Sequence, residues 1–186
     1  MEQTVLYFET PGPDHTEATL AASNRRGGEL GIRQVVVATT TGKTAFMAAK
    51  AMPDCAIIGV TLSAGHWGTY APPDQGITAE AESLGVRILT CPHSLMGALD
   101  SAIADKFGGL PDNHLISHVY YTWCQGTKVA VECMLMAADA GMLDMDEEVI
   151  SIAGSEEGAD TSLVMRPTYT SKFFDLRILE LVAKPR

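Results

Sequence analysis

No apolar run in the sequence approaches the roughly 20 residues that a helix needs to cross a bilayer. The first residues, MEQTVLYFETPGPDH, carry neither the basic start nor the apolar stretch of an export signal. The chain is therefore expected in the cytoplasm and away from the membrane. Positive charge is scarce as well: 13 Lys and Arg stand against 23 Asp and Glu, a formal net charge of -10. Such a surface repels nucleic acid phosphates and anionic lipid, so nucleic acid is not an expected partner. Any phosphate bound here must be held by a local feature, such as backbone amides with one or two cations, against that unfavourable field. Paired cysteine spacing is missing too. Cys55, Cys91, Cys124 and Cys133 form no CxxC and lie among apolar neighbours, which reads as reduced core thiols; the alternative is a reactive thiol at Cys91, near a strand end. With no linker, repeat or low-complexity stretch, residues 1–186 are expected to form one domain.

What the sequence does contain is strand and helix in alternation. Thr4 to Phe8 is a short apolar run ending at Pro11, Gly12 and Pro13. Asp14 and Glu17 then have capping-box spacing for a helix to about Leu30, stopped by Gly31. Gln34 to Ala38 is β-branched without alternation, as expected for a strand buried on both faces in the middle of a parallel sheet. Ala56 to Thr61 and Val86 to Thr90 read the same way, as does Glu148 to Ala153. Between them, Leu95, Leu99, Ile103 and Phe107 make one apolar face of a helix over 93–107, ended by Gly108 and Gly109. Pro111 opens a further helix that can run to Ala140, with Gly126 marking a kink or a close approach and Gly141 closing it. The tail pairs Ser162 to Arg166 with Phe174 to Ala183 as a hairpin. The class is α/β: a three-layer sandwich around a mostly parallel sheet, order 3-2-1-4-5 counted from Gln34 to Ala38, with the last strand antiparallel. The apolar tail hairpin offers an edge through which a homo-oligomer can form.

The segment VVVATTTGKTAFMAAKA, Val35 to Ala51, places a short loop of hydroxyls and glycine between a buried strand and a helix. That arrangement suits phosphate. Amides at a helix start point outward unpaired, Gly42 lets the backbone approach an oxygen, Thr39, Thr40, Thr41 and Thr44 donate from hydroxyls, and Lys43 adds a charge. It is not a Walker loop, because the glycine required five positions before Gly42 is Val37. The bland reading is a Thr-rich helix start with no ligand. A second segment, Gly154 to Ser162, follows the fourth strand, where open α/β sheets gather ligands; its Glu156, Glu157 and Asp160 would meet hydroxyls or a ring amide rather than phosphate, or simply face solvent. His66 and His93 follow the second and third strands and are the acid or base candidates, with Trp67 able to stack on a ring or pack in the core. His114 and His118 have metal-site spacing, but no acid completes HExxH, so with the tyrosines and Trp123 beside them a packing or surface role is expected and no metal. Met134, Met136, Met142 and Met145 read as core filling.

The segments VVVATTTGKTAFMAAKAMPDCAIIGVT and IAGSEEGADTSLVMRP resemble the C-terminal domain of pyruvate kinase, in order and context. In that enzyme the matching loops hold a sugar bisphosphate effector, and the catalytic centre lies in a different domain with no counterpart in these residues, so pyruvate kinase activity is not implied. YFETPG, HT, FGG, QGTKVAVE, MAADAG, GAD and FFDLRILELVAKPR resemble the stand-alone pyruvate kinase C-terminal domain-like proteins over nearly the whole chain. That resemblance implies FMN as the cofactor: Thr39 to Thr44 would take the flavin phosphate, with Glu9, Gly12 and Thr16 from the first loop and Gly158, Ala159, Asp160 and Thr161 from the last flanking it. His15, where the family has Asn, and Glu156 with Glu157 depart from the pattern and suit a smaller or less anionic ligand. Three functions are compatible with the residues: binding of a phosphorylated small molecule, a flavin-dependent or acid/base enzyme using His66 or His93, and a regulatory or subunit-interface module.

Overall fold

In a computed structural model, which describes residues 2–186, the chain builds a seven-stranded sheet covered on both faces. In chain order the elements are β1 (Leu6–Phe8), α1 (Thr16–Leu30), β2 (Gln34–Ala38), α2 (Lys43–Ala51), β3 (Ala56–Val60), α3 (Gln75–Ser83), β4 (Arg87–Leu89), α4 (Leu99–Phe107), α5 (Asp112–Tyr121), α6 (Gln125–Asp139), β5 (Val149–Ala153), β6 (Thr161–Arg166) and β7 (Arg177–Pro185). The strand order is β1-β7-β6-β5-β2-β3-β4.

The middle of the sheet follows the expected order: β4-β3-β2-β5 are parallel neighbours, and β6 runs antiparallel to β5. The difference lies outside that block. β7 pairs antiparallel with β6, and β1 closes the row by pairing parallel with β7, Leu6 opposite Ala183. The first strand of the same chain occupies the tail edge expected to be open to a second copy only over Ala183 to Pro185.

β2 shows why β-branched runs without alternation belong in the centre. Val35 and Val37 point into a core with Leu20, Ala45, Ala48, Ile57 and Ile152, whereas Val36 points the other way, among Ile58, Ala130, Met134 and Leu163. All three valines are fully buried, and each contributes about 1.5–3 kcal/mol from burial. Helices α1, α2 and α3 pack together on the first face. α6 covers the second with α5 behind it, and is buried on nearly every side, Met134 and Met136 included.

Several boundaries differ from the sequence expectation for local reasons. α1 is not capped by Asp14: a tight turn at Pro13–His15 precedes it, and His15, at the cap position, makes no side-chain cap bond. The 93–107 helix begins only at Leu99, because Gly97 turns the chain with φ of 114° and the Gly97 and Ala98 amides donate to Ser101 Oγ and Asp100 Oδ1. Leu95 falls outside the helix and is buried in the loop, while Leu99 and Phe107 are 74% and 75% exposed. The apolar stripe of α4 therefore faces outward. Residues 111–140 form two helices, broken at Thr122 to Cys124. Gly126 sits just past the break, where an added Cβ would lie 2.1 Å from Thr161 Oγ1; its role is close approach.

Candidate functional site

Because α6 precedes β5 and runs back along parallel strands, its N-terminal turns lie at the carboxyl edge of the sheet, together with the loops after β2, β3, β4 and β5. The chain moves outward in one direction from β2 through β3 to β4 and then returns to place β5 on the other side of β2. The β2/β5 boundary is the switch point of the sheet, where open α/β folds form a crevice. Val37 pairs with Ile152, so the loops starting at Thr39 and Gly154 leave adjacent strands side by side.

The Thr39–Thr44 loop is rigid by construction. The Thr39 amide donates to the Val60 carbonyl (2.9 Å), and Thr39 Oγ1 accepts from the Gly42 amide (3.1 Å). Gly42 has φ of 100°, and an added Cβ would come within 2.8 Å of Thr78 Cγ2; only glycine fits there. The next segment is tied in by the Asp74 amide donating to the Thr41 carbonyl (3.0 Å), while Asp74 caps α3 through the Gly76 and Ile77 amides. The first helical bond of α2 runs from the Phe46 amide to the Gly42 carbonyl, so the amides of Lys43, Thr44 and Ala45 open the helix without an i−4 partner. Thr39 and Thr44 are buried, Thr40 and Thr41 half-buried, and Lys43 exposed.

The first loop and the last turn meet each other through Asp160. This carboxylate is fully buried. Oδ2 accepts from the Gly12 and Ser155 amides (3.1 and 3.2 Å), and Oδ1 from Thr161 Oγ1 (2.7 Å). Thr16 Oγ1 donates to the Pro13 carbonyl (2.6 Å) and accepts from the Ala159 amide (3.0 Å). Gly158 packs against Thr16 and Pro13. The polar atoms of Thr16, Asp160 and Thr161 are thus engaged in joining the two loops, and Glu9 is exposed. Beside this junction lies a cavity of about 660 Å³, walled by residues 11–13, 123–125, 155–157 and 185–186.

His66 and His93 are brought together, with ring centroids 5.2 Å apart. Ser63 bridges them: its amide donates to His93 Nε2 (3.3 Å) and its Oγ shares a proton with His66 Nδ1 (2.8 Å). With Nε2 accepting, His93 carries its proton on Nδ1 and donates to Glu132 Oε2 (3.3 Å). Both His93 nitrogens are occupied, so His66 is the one of the pair with an open ring nitrogen. Glu132 also accepts from Lys128 Nζ (2.5 Å) and from the Leu95 and Met96 amides (2.8 and 3.0 Å). Burial works to raise its carboxyl, but the His93 bond and the Lys128 charge outweigh that and hold it at about 2. Sequence reasoning did not single out Lys128 and Glu132. The available signal was two charges at i, i+4 in the otherwise apolar segment KVAVECMLMAA.

Trp67 is committed locally, its Nε1 donating to the Leu62 carbonyl (3.0 Å). His114 pairs with Asp100 (2.5 Å) and joins α4 to α5; there burial raises the Asp100 carboxyl, and the His114 hydrogen bond together with those from the Ala98 and Asp100 amides more than reverses it. His118 meets Tyr121 edge-on. No group of three or more His, Cys, Asp or Glu able to hold a metal occurs among the described residues. The four cysteines are free, and burial pushes the Cys91 thiol up, with Asp139 adding to it, which opposes a reactive thiolate. No helix among the described residues is long and apolar enough to cross a membrane.

The family model of the pyruvate kinase alpha/beta domain matches residues 17–165, from the second residue of α1 to near the end of β6. The chain belongs to the pyruvate kinase alpha/beta domain family. Among solved structures it is similar to a pyruvate kinase from Cryptosporidium parvum, at 14% identity and a TM-score of 0.43 over 82% of this chain and 23% of that one. A pyruvate kinase from the same organism in complex with ADP gives 16% identity and a TM-score of 0.42 over 83% and 24%. The chain spans less than a quarter of the length of these kinases. Within the pyruvate kinase alpha/beta domain as it occurs here, the Thr loop, the Asp160 junction and the imidazole pair all lie at one sheet edge.

Proposed function

We propose that this chain binds a phosphorylated small molecule at the carboxyl edge of its sheet, with FMN as the ligand, and acts in the cytoplasm. The observation that carries the reading is the Thr39–Thr44 loop at the β2/β5 switch point. It holds unpaired α2 amides, half-buried Thr40 and Thr41, and Lys43 in one rigid turn. Helix-start amides and their dipole favour a phosphate locally even in a chain of net charge -10. FMN as ligand rests on the resemblance of the sequence to stand-alone proteins of this kind.

Gly42→Ala is a poor probe of the loop, since its Cβ would displace Thr78. The informative variant is Thr40→Val with Thr41→Val, which keeps shape and removes two hydroxyl donors. FMN affinity measured by flavin fluorescence should fall by roughly tenfold or more, at about 1 kcal/mol per hydrogen bond or above for a charged acceptor. Affinity unchanged in the double variant removes the loop from the site.

A second reading, acid/base chemistry on a phosphorylated metabolite, is favoured by the Ser63-bridged imidazole pair alone. Under it His66 is the proton-transfer group and His93 a positioning residue held by Glu132. His66→Gln would then abolish turnover of any substrate found without lowering FMN affinity.

A further inference from the structure

The cavity of about 660 Å³ beside the Asp160 junction has a wall that the Thr loop does not supply. Trp123 stands in it 59% exposed, at the break between α5 and α6. An indole left so open in a concave wall is a stacking surface looking for a flat partner. Pro11 and Pro13 add rigid apolar faces. Glu156 and Glu157 bring carboxylates that no side chain among the described residues engages. Glu156 is the sole non-glycine with left-handed backbone among the described residues, φ 74°. The walls are joined to one another: Asp160 ties Gly12 to Ser155, Cys124 Sγ meets Thr161 Oγ1 (3.4 Å), and the Arg186 amide donates to the Phe8 carbonyl (2.9 Å). A cavity of this size, lined by the apolar faces of Trp123 and the prolines and by the polar groups of Gln125, Ser155, Glu156, Glu157 and Arg186, offers a small-molecule ring system both a stacking face and hydrogen-bond partners.

We propose that this cavity takes a planar nitrogen heterocycle, stacked on Trp123, with ring N–H groups donating to Glu156 or Glu157. The proposal rests on the reading of a ligand site at this sheet edge, but not on the Thr loop. Two ring compounds without phosphate, riboflavin and adenosine, are the probes, titrated against the full chain by calorimetry.

At least one should bind saturably. Trp123→Ala should weaken it roughly tenfold, the scale of one ring stacked on an aromatic side chain, with Trp123→Phe retaining most of the affinity. The melting temperature of Trp123→Ala should stay near wild type because the indole is exposed. Thr40→Val with Thr41→Val should leave riboflavin or adenosine binding unchanged. A chain that binds neither probe overturns the proposal, as does a Trp123→Ala variant that binds as wild type does. FMN affinity lost in the Thr variant but intact in Trp123→Ala would overturn the ring site and leave the phosphate loop standing. Riboflavin binding as tight as FMN binding, sensitive to Trp123 alone, would do the reverse.

Discussion

Replacing Glu132 by Gln should cost about 3–5 kcal/mol of folding stability at neutral pH, the range for breaking a buried ion pair from one side. The reason is where the carboxylate sits. Oε2 meets His93 Nδ1 and Lys128 Nζ, Oε1 takes two loop amides, and the side chains of Lys128 and Glu132 are 5% and 3% exposed. Gln keeps an oxygen for the amides but leaves the Lys128 ammonium buried without a counter-charge. The wild-type carboxyl, held at about 2 against an ordinary 4.5, binds its proton more weakly folded than unfolded. Its contribution is therefore complete above pH 4.5 and lost as pH falls toward 2. That difference is worth about 3 kcal/mol at most. Urea unfolding at neutral pH and at about pH 3 reads both quantities. The wild type should lose stability between the two pH values, and Glu132→Gln should lack that component. Lys128→Met with Glu132→Leu, which removes both charges, should cost less than Glu132→Gln alone. A Glu132→Gln loss under about 1 kcal/mol, the level of an ordinary surface change, would refute the reasoning.

Gly126→Ala should destabilise by about 1–3 kcal/mol, because the new methyl must displace Thr161 from its bond to Asp160; a melting temperature equal to wild type would contradict the close approach. Leu99→Ser with Phe107→Ser should change stability by no more than about 0.5 kcal/mol each, since both side chains point outward; a large loss would mean that the α4 stripe is covered. Asp160→Ala should loosen the first loop from the last turn and raise proteolysis at residues 9–13, with Asp160→Asn milder because one oxygen acceptor remains.

The central sheet was legible because β2, β3 and β5 carry apolar runs that only a strand buried on both faces accommodates, and because Gly31 and Gly141 stop α1 and α6 where expected. The β1–β7 pairing was not legible: a three-residue strand has little periodicity, and its partner lies at the other end of the chain. Periodicity found the stripe on α4 but could not say what lies against it, and Leu99 and Phe107 meet solvent. The Thr loop stood out because four hydroxyls and a glycine fall within six residues between strand and helix. Asp160 looked like one of three acids in a turn, and only the folded chain separates it, buried and fully bonded, from exposed Glu156 and Glu157. Lys128 and Glu132 were hidden by the opposite effect: both belong to a helix so thoroughly enclosed that its charges become visible as a pair only with the 93–97 loop in place.

The most direct test of ligand binding at the sheet edge is an absorption spectrum of the gently purified chain from the near ultraviolet to the blue, with mass spectrometry of the small molecule released by heat. A flavin band and released FMN are the expected result. A colourless chain that releases no phosphorylated compound, and whose melting temperature FMN does not raise, would contradict it.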